Sequence, residues 1–313
     1  MRDRYEPGAV HRRSARRGAA HHELLCEPRR NLARMHAGPS GPVPFATHGV
    51  VLGGGTAVKR FRSWDHDEPR REWQALKLLA AHAPGLAPEP LEADLRGEPP
   101  EVVMSRLPGE PLGTWSASSA VVDAIAAALG RLHHALPLSV LDGIDEAGCG
   151  GPKLVSLNMR ELAAACDAAS LDPLPREAYH SALAWLDGGW AEKSDATLLH
   201  PVFAHGDSDL ANRLWDGSQV RLVDFESSGR GGRAQELADF VEHITVWAHA
   251  GIDAGAFLDR FDLAPAERRQ ISELRRLHAA HWIMILLPSG TAHPRNPPGT
   301  LDRQASRTLE LLG

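Results

Sequence analysis

Hydrophobic and turn-forming positions in the first third of the chain predict a small β-rich unit. The stretch "VPFATHGVVLGGGTAVKRF" has two runs rich in Val, Phe and Thr around three glycines, a pattern typical of a β-hairpin with Lys59 on its second strand. "DEPRREWQALKLLAAHAPG" has apolar residues at helical spacing from Asp67 to a Pro-Gly stop, so Glu72 lies early on a helix. "EVVMSRLPG", residues 101–109, predicts a short strand that ends at Pro and Gly.

Beyond "PGEPLG" the apolar positions recur mainly at helical spacing. "SASSAVVDAIAAALGRLHHAL" starts from serine caps and has one apolar face, which predicts a long helix. "FAHGDSDLANRLW" and "VDFES" predict a loop with short strands. Further helices are expected near residues 157–168, 176–193, 234–249, 254–261, 265–287 and 300–312.

The length and the order of these elements predict two lobes. A chain of 313 residues exceeds the usual size of one hydrophobic core. We predict an α+β, bilobal fold with a small β-rich N-lobe at residues 42–107 and a larger, mainly helical C-lobe at residues 108–313. Residues 1–41 are predicted to be a disordered, Arg-rich extension, because they lack the apolar segment and cleavage site of a secretory signal.

Composition and charge limit the expected partners. The formal net charge is −6, and the Arg-rich extension leaves an acidic body that suits a cationic ligand and disfavours nucleic acid, although most surface charge only solvates. No apolar run approaches the roughly 20 residues of a membrane helix. Three cysteines without metal or disulfide spacing fit the reducing cytoplasm. We therefore expect a cytoplasmic protein with a small-molecule partner and with no nucleic-acid, membrane or obligate protein partner.

The polar residues of "HGDSDLAN" and "VDFE" match what phosphoryl transfer requires. That reaction needs a cation on the phosphates, a partner for the cation, a carboxylate for the acceptor hydroxyl and oxygen ligands for Mg²⁺. Asp207 is the candidate base, while Asn212 and Asp224 offer oxygen ligands. Lys59 is the candidate cation and Glu72 its candidate partner.

Several of these residues have competing explanations. Lys59 alone could be a solvated strand lysine; it does not belong to a P-loop, since Val58 stands where that motif requires Gly. The glycines before it are not a dinucleotide fingerprint, because a strand follows them. His205 precedes Gly-Asp in the loop, where a histidine is better explained as bracing the backbone by hydrogen bonds than as a general base. His278 and His281, on one helix, favour packing or surface roles over metal binding, because no third ligand is evident.

Together the motifs resemble the aminoglycoside phosphotransferase and choline kinase group, small-molecule kinases with a protein-kinase-like fold. "HGDSDLAN" is similar to the catalytic loop of that family and "VDFE" to its metal-binding segment. "REWQALKLLA", "VVMSRLPGEPL" and "LGRLHH" resemble its first-lobe helix, interlobe hinge and long second-lobe helix. The resemblance covers roughly residues 40–285 and is most specific over residues 205–226.

The resemblance assigns a role to each candidate residue and implies ATP and Mg²⁺ as cofactors. It implies that Asp207 is the catalytic base and that Asn212 and Asp224 bind Mg²⁺. Lys59 and Glu72 would form the pair that holds the phosphates. It also implies that a hinge backbone meets the adenine and that two residues support the catalytic loop. The hinge residues are Met104, Ser105, Arg106 and Leu107, and the supporting residues are His205 and Glu236.

The chain departs from the family pattern after the metal segment, at Ser208 and Asp209, which are more polar than usual, and in the loop that covers the phosphates. The family follows its metal segment with Gly-Asp-Pro and Asp-Leu-Ala, whereas "SSGRGGRAQELADF" has Arg230 and Arg233 in place of the acid and the proline and Glu236 in place of the scaffold Asp. A different loop geometry is therefore expected. "AGPSGPV", residues 37–43, is the candidate for the loop that covers the phosphates, because its glycines permit close approach of the backbone.

Two classes of function follow. The first is an ATP-dependent kinase whose acceptor is a small-molecule hydroxyl, foremost on an aminoglycoside-type or related antibiotic, with an amino-alcohol or sugar metabolite as the alternative. The second is a non-catalytic nucleotide-binding protein on the same fold. The joint presence of Lys59, Glu72, Asp207, Asn212 and Asp224 favours the enzyme. A protein kinase is disfavoured, because the loop has His-Gly-Asp in place of His-Arg-Asp.

Overall fold

The computed structural model has one lobe built on a β-sheet and one built on helices. It describes residues 48–62, 64, 66–114, 117–148, 151–190, 199–288 and 296–313. The α+β, two-lobed architecture expected from the sequence is confirmed. The predicted extension at residues 1–41 and the candidate phosphate loop at 37–43 lie outside the described residues. The lobe boundary at residue 107 stays a prediction.

The secondary structure elements follow in chain order. The strands are β1 (Gly49–Leu52), β2 (Thr56–Arg60), β3 (Pro90–Asp94), β4 (Glu101–Ser105), β5 (Glu110–Pro111), β6 (Pro201–Ala204), β7 (Arg213–Trp215), β8 (Val220–Leu222) and β9 (Gly229–Gly232). The helices are α1 (Glu68–His82), α2 (Ser119–His133), α3 (Leu138–Leu141), α4 (Pro152–Ala164), α5 (Pro173–Asp187), α6 (Arg233–Glu242), α7 (Ala254–Leu258), α8 (Pro265–Leu286) and α9 (Thr300–Leu312). Short 3₁₀ turns lie at Leu112–Thr114, Ala168–Ser170 and Leu210–Asn212, and a π-helical turn lies at Thr245–His249.

The first lobe is an antiparallel sheet with the strand order β1-β2-β4-β3 and α1 packed against it. The predicted hairpin is β1–β2. Because side chains alternate along a strand, Ala57 and Lys59 of β2 both point to the buried side. Leu76 and Leu79 of α1 are also buried, so Glu72, one turn before Leu76, lies where the lysine can reach it. Strand β3 was not predicted, because "PLEAD" is largely exposed and has no apolar alternation.

The second lobe is mainly helical, but four predicted helices have different bounds; α7, predicted at residues 254–261, ends at Leu258. Helices α4 and α5 begin earlier than predicted, at Pro152 and Pro173, because proline is well suited to the first helical position. The single helix predicted at residues 234–249 is divided into α6 and the π-helical turn. His243, which follows α6, has extended backbone angles (φ −66°, ψ 135°) and breaks the helix there.

Two small sheets of the second lobe carry the polar motifs. Strand β6 pairs with β9, and β7 lies between β5 and β8. The "HGDSDLAN" loop connects β6 to β7, and "VDFES" follows β8. A hydrophobic cluster that includes Phe61, Leu129, Phe225 and Phe240 underlies both lobes. Within the described part of the chain, no helix has both the length and the apolar character needed to cross a membrane.

Candidate active site

The loop after β6 folds back on itself and fixes the Asp207 carboxylate. The 3₁₀ turn at its end returns Asn212 to Asp207, where the amide Nδ2 donates to Oδ2 at 3.0 Å. The backbone N–H of Asp209 donates to Oδ1 at 3.0 Å. Burial acts to raise the pKa of Asp207, but the Asp209 N–H and the basic groups nearby hold it below its usual value. Asp207 is therefore an oriented, ionised carboxylate at neutral pH.

The residues on either side of Asp207 anchor this loop to the rest of the second lobe. Gly206 has φ 76°, and a Cβ at this position would overlap the Ser227 carbonyl oxygen, so only glycine fits. His205 Nε2 donates to the Val223 carbonyl at 2.9 Å. Burial, together with the charge of Arg213, lowers the pKa of His205 to about 4. The imidazole is thus neutral and is placed to brace the backbone.

Glu236 holds the loop from α6. Its Oε1 accepts from the His205 backbone N–H at 2.6 Å, and its Oε2 accepts from His133 Nε2 at 2.7 Å. Burial acts to raise the pKa of Glu236, but the hydrogen bond from His133 and the other donors hold it below its usual value. The longer Glu side chain, in place of the Asp of the family, reaches both α2 and the start of the catalytic loop.

The unusual "SSGRGGR" segment also has regular partners. It forms β9, which pairs with β6, and its Arg230 N–H donates to the Asp145 carbonyl at 2.9 Å. Gly148 N–H in turn donates to the Ser227 carbonyl at 2.8 Å. Pairing with residues 145–148 supports this loop in the absence of the Gly-Asp-Pro turn.

Lys59 lies at the centre of three carboxylates contributed by both lobes. Its Nζ is 2.9 Å from Glu72 Oε2, 2.5 Å from Asp224 Oδ1 and 2.8 Å from Glu226 Oε2. Glu226 was not among the residues predicted from the sequence. His48 Nε2 approaches Glu226 Oε2 at 2.9 Å and contributes to its placement. Asp224 itself has φ 68°, an uncommon conformation for a residue other than glycine.

The electrostatics of this cluster show an excess of negative charge. Burial acts to lower the pKa of Lys59, but Asp224, Glu226 and Glu72 raise it well above its usual value, so the ammonium is charged. Burial and the charge of Glu226 raise the pKa of Asp224 to about 8, despite the attraction of Lys59. One ammonium thus faces three acids, and the cluster binds a proton more readily than isolated carboxyls do.

The donor set of this cluster fits a hard divalent cation. Oxygen atoms of Glu72, Asp224 and Glu226 lie within 4.8 Å of one another. Carboxylate oxygens are the ligands that Mg²⁺ prefers, and the excess negative charge favours a cation further. Asn212 uses its amide nitrogen for Asp207, while its amide oxygen accepts no hydrogen bond among the described residues.

The hinge between the lobes has a backbone donor that no described residue uses. The N–H groups of Ser105 and Arg106 donate to first-lobe carbonyls at 2.9 and 3.0 Å. Leu107 lies beyond β4, and its N–H has no hydrogen-bond partner among the described residues. The side chain of Met104 is buried. Of the four predicted hinge residues, Leu107 is therefore the one with a donor left for a ligand.

Helix α1, which carries Glu72, is anchored on the second lobe. Arg71 Nη1 donates to the Glu146 carbonyl at 2.7 Å and to the Ser228 carbonyl at 2.9 Å. Arg70 Nη2 donates to Asp145 Oδ2 at 2.9 Å. These contacts tie the turn of α1 that carries Glu72 to the second lobe.

A carboxylate from α6 lies beside the catalytic loop. Ser208 Oγ donates to Asp239 Oδ2 at 2.5 Å, and His278 Nδ1 is 3.2 Å from Asp239 Oδ1. Burial lowers the pKa of His278, and Gln235 contacts its other ring nitrogen at 2.9 Å. His281 is also buried and pairs with Asn158 at 2.8 Å. Both histidines are thus buried, each with a polar partner on another helix.

Sequence reasoning did not assign Glu226, His133 and Arg213 to the site, where the structure places them, nor His48, which contacts Glu226. Glu226 could have been found, since it is a second acid two residues after Asp224 in the same "VDFES" segment. His133 is an ordinary member of the α2 pattern, and nothing in the sequence signals its contact with Glu236. Arg213, directly after Asn212, lies beneath the catalytic loop and has no signal of its own.

A lysine on a strand pairs with a glutamate on a helix, and a fixed aspartate faces them from the other lobe. This arrangement defines the class of protein-kinase-like phosphotransferases. The chain belongs to the phosphotransferase enzyme family, whose family model matches residues 50–274. The resemblance inferred from the motifs is thereby confirmed, and the chain is an enzyme of the kinase type. No curated relative matches the sequence.

Solved structures of similar proteins agree on the fold. A choline/ethanolamine kinase family protein from Mesorhizobium loti is 17% identical, with 89% of this chain and 90% of that chain covered and a TM-score of 0.62. The spectinomycin phosphotransferase APH(9)-Ia, in complex with ADP and spectinomycin, is 12% identical, with 88% and 92% covered and a TM-score of 0.59. The aminoglycoside phosphotransferase APH(3'')-Id from Streptomyces rimosus, in complex with ADP and streptomycin, is 19% identical, with 78% and 91% covered and a TM-score of 0.52. At these identities the likeness concerns the fold alone, and it confirms the protein-kinase-like fold.

Proposed function

We propose that this enzyme transfers the γ-phosphoryl group of ATP to a hydroxyl of a small molecule. The observation that carries the proposal is the fixed orientation of Asp207, whose two carboxylate oxygens each accept a hydrogen bond, from Asn212 and from the Asp209 N–H. A protein that only binds nucleotide has no need for an oriented, ionised carboxylate at this place. Phosphoryl transfer does need one, because catalysis depends on positioning the acceptor.

Each residue of the site has a role in this reaction. Lys59, held by Glu72, binds the phosphates of ATP, and the free Leu107 N–H donates to the adenine. Asp207 accepts a hydrogen bond from the acceptor hydroxyl and takes its proton while the new oxygen–phosphorus bond forms. At the same time the bond between the γ-phosphorus and the ADP oxygen breaks, so ADP leaves with the electron pair of that bond.

Mg²⁺ is the metal that the donor set fits. When bound, it supplies charge neutralisation on the phosphates, and Asp224, Glu226 and the Asn212 amide oxygen are the groups that would hold it. The three acids around Lys59 support this assignment, because their excess charge favours a divalent cation. We also place the reaction in the cytoplasm, where ATP is plentiful.

For the acceptor we propose an aminoglycoside-type or related antibiotic. Asp239, a partly exposed carboxylate on the loop side of α6, lies one hydrogen bond from Ser208 and so lies next to Asp207. A carboxylate in this position favours an acceptor with ammonium groups. Two proteins of similar fold were solved with spectinomycin or streptomycin bound. A single-ammonium amino alcohol is the second candidate, since the same carboxylate would hold it.

The test is ADP release from Mg-ATP across aminoglycosides, other hydroxylated antibiotics, choline and amino sugars, with mass spectrometry of the products. Asp207→Asn is expected to lower kcat by at least about 10²–10⁴-fold, the usual contribution of a positioned base, while the Kd for Mg-ATP stays near wild type. Asp142→Asn, an exposed aspartate of the same lobe, is the matched control and should keep full activity. Equal turnover in Asp207→Asn and wild type would refute the mechanism. Tight Mg-ATP binding without turnover on any acceptor would favour the non-catalytic alternative.

A further inference from the structure

Arg213 is a fully buried arginine directly beneath the catalytic loop. It is the first residue of β7, follows Asn212 and is 0% exposed. Its guanidinium lies over the Phe240 ring, 5.6 Å from the centroid. Burial of an ion is unfavourable unless hydrogen bonds and neighbouring charges compensate for it. Burial lowers the pKa of Arg213, and the charges of Asp207, Glu236, Asp209 and Asp239 act in the opposite direction.

The hydrogen bonds of Arg213 go to the main chain of the catalytic loop. Nη1 donates to the Asp207 carbonyl at 2.6 Å and to the Asp209 carbonyl at 2.8 Å. One nitrogen thus joins two carbonyls that flank Ser208 and fixes the curvature of the loop between them. Among the described residues, no carboxylate oxygen lies within ion-pair distance of this guanidinium. Arg213 therefore acts on the backbone of the loop and not as half of a salt bridge.

The two sides of Asp207 are held by different residues. Asn212 and the Asp209 N–H hold the carboxylate oxygens, as described above. Arg213 holds the carbonyl of the same residue from below. The direction of a side chain follows from its backbone, so a shift of the carbonyl would turn the carboxylate away from the acceptor. Hydrogen bonds from a charged donor are about twice as strong as neutral ones, which suits a contact that must not move.

We propose that Arg213 is a positioning residue for phosphoryl transfer, which holds the main chain of Asp207 and so sets the direction of its carboxylate. The proposal rests on the proposed function, since it assigns the consequence of this contact to the transfer step. ATP binds through Lys59 and the hinge, which Arg213 does not touch. Loss of Arg213 should therefore affect kcat and leave nucleotide binding in place.

The first experiment compares Arg213→Met with Arg213→Lys, with kcat counted per ATP-binding site so that misfolded protein does not contribute. A misplacement of about 1 Å can cost roughly 10²-fold, so Arg213→Met should lose kcat on that order, with KM for ATP within about threefold of wild type. Arg213→Lys, which keeps one charged donor, should recover part of the loss. Arg221→Met is the matched control, because Arg221 lies on the adjacent strand β8 and pairs with Asp216 away from the site. A wild-type kcat in Arg213→Met, or an equal loss in the control, would overturn the proposal.

A double-mutant cycle separates positioning from general destabilisation. If Arg213 acts through Asp207, Arg213→Met should cause little further loss in the Asp207→Asn background, because groups that act as a unit are not additive. Additive losses would contradict the proposal. If Arg213→Met does not fold, Arg213→Lys and Arg213→Gln provide the same cycle.

Failure of the proposed function would look different, because wild type itself would then transfer no phosphoryl group. Hydrogen exchange of the peptide that spans residues 205–213 tests the Arg213 contact without turnover. Exchange there should be at least about tenfold faster in Arg213→Met than in wild type, with other peptides unchanged, since the loop opens locally when its anchor is lost. Unchanged exchange in this peptide would refute the contact as the anchor of the loop.

Discussion

Replacement of Lys59 by Met removes the ammonium from the centre of three carboxylates and leaves the rest of the packing nearly intact. The lysine side chain is only 6% exposed, and Glu72 and Glu226 are 0% and 3% exposed. Methionine has a similar length and can keep the contact with Phe61, whose ring centre lies 4.8 Å from Nζ. The change in stability should therefore report the electrostatics of the cluster.

The expected loss follows from the charges of the cluster. With all groups ionised, wild type has one positive and three negative charges. In the variant the three acids have no ammonium between them, so the pKa of Asp224, already raised to about 8 in wild type, rises further. Removal of one partner from a buried ion pair typically costs 3–5 kcal/mol, so the free energy of unfolding should fall by about that amount at pH 8 without divalent ions. At about pH 5.5 the deficit should be smaller, because protonation relieves the unpaired carboxylates.

The assay is urea unfolding followed by circular dichroism in the presence of a chelator. Glu72→Gln is the matched variant, because it removes one acid and leaves Lys59 with Asp224 and Glu226. Its cost should be only about 1–3 kcal/mol, the cost of a lost charged hydrogen bond. Mg²⁺ without nucleotide should stabilise Lys59→Met more than wild type. A loss below about 1 kcal/mol in Lys59→Met, or an equal loss in Glu72→Gln, would refute the reasoning.

Three further predictions concern the catalytic loop and the metal cluster. Gly206→Ala should lower kcat by at least about tenfold and lower the melting temperature, because its Cβ would meet the Ser227 carbonyl; normal kinetics would contradict this. Glu236→Gln has no negative charge with which to accept the His133 hydrogen bond, so its free energy of unfolding in urea should be about 1–3 kcal/mol lower than that of wild type. Glu236→Asp should not restore this stability, because the shorter side chain cannot reach both partners. Without divalent ions, the free energy of unfolding should fall by about 2 kcal/mol from about pH 6 to pH 8. Burial and the nearby acids raise the pKa of Asp224 to about 8, so the folded state retains a proton that the unfolded state has already lost. Asp224→Asn should remove this part of the pH dependence. An unchanged pH dependence in that variant would exclude Asp224 as its origin.

The sequence by itself determined those features that depend on neighbouring residues. Alternation and the three glycines predicted the hairpin that carries Lys59, and helical periodicity predicted the helix that carries Glu72. Asp207 and Asn212 lie in one short motif, so their proximity follows from chain connectivity. Bounds were less reliable where a proline or an extended residue such as His243 overrides the apolar pattern.

The tertiary structure decided which distant groups meet. Lys59 and Asp224 are separated by 165 positions in sequence, and Glu236 and His133 by 103. The backbone anchor formed by Arg213 and the free N–H of Leu107 likewise depend on how the strands pack. Local sequence patterns depend on the conformational preferences of a residue and its near neighbours. The partner of a buried charge depends on the packing of the whole chain, because a buried ion without a partner destabilises the fold.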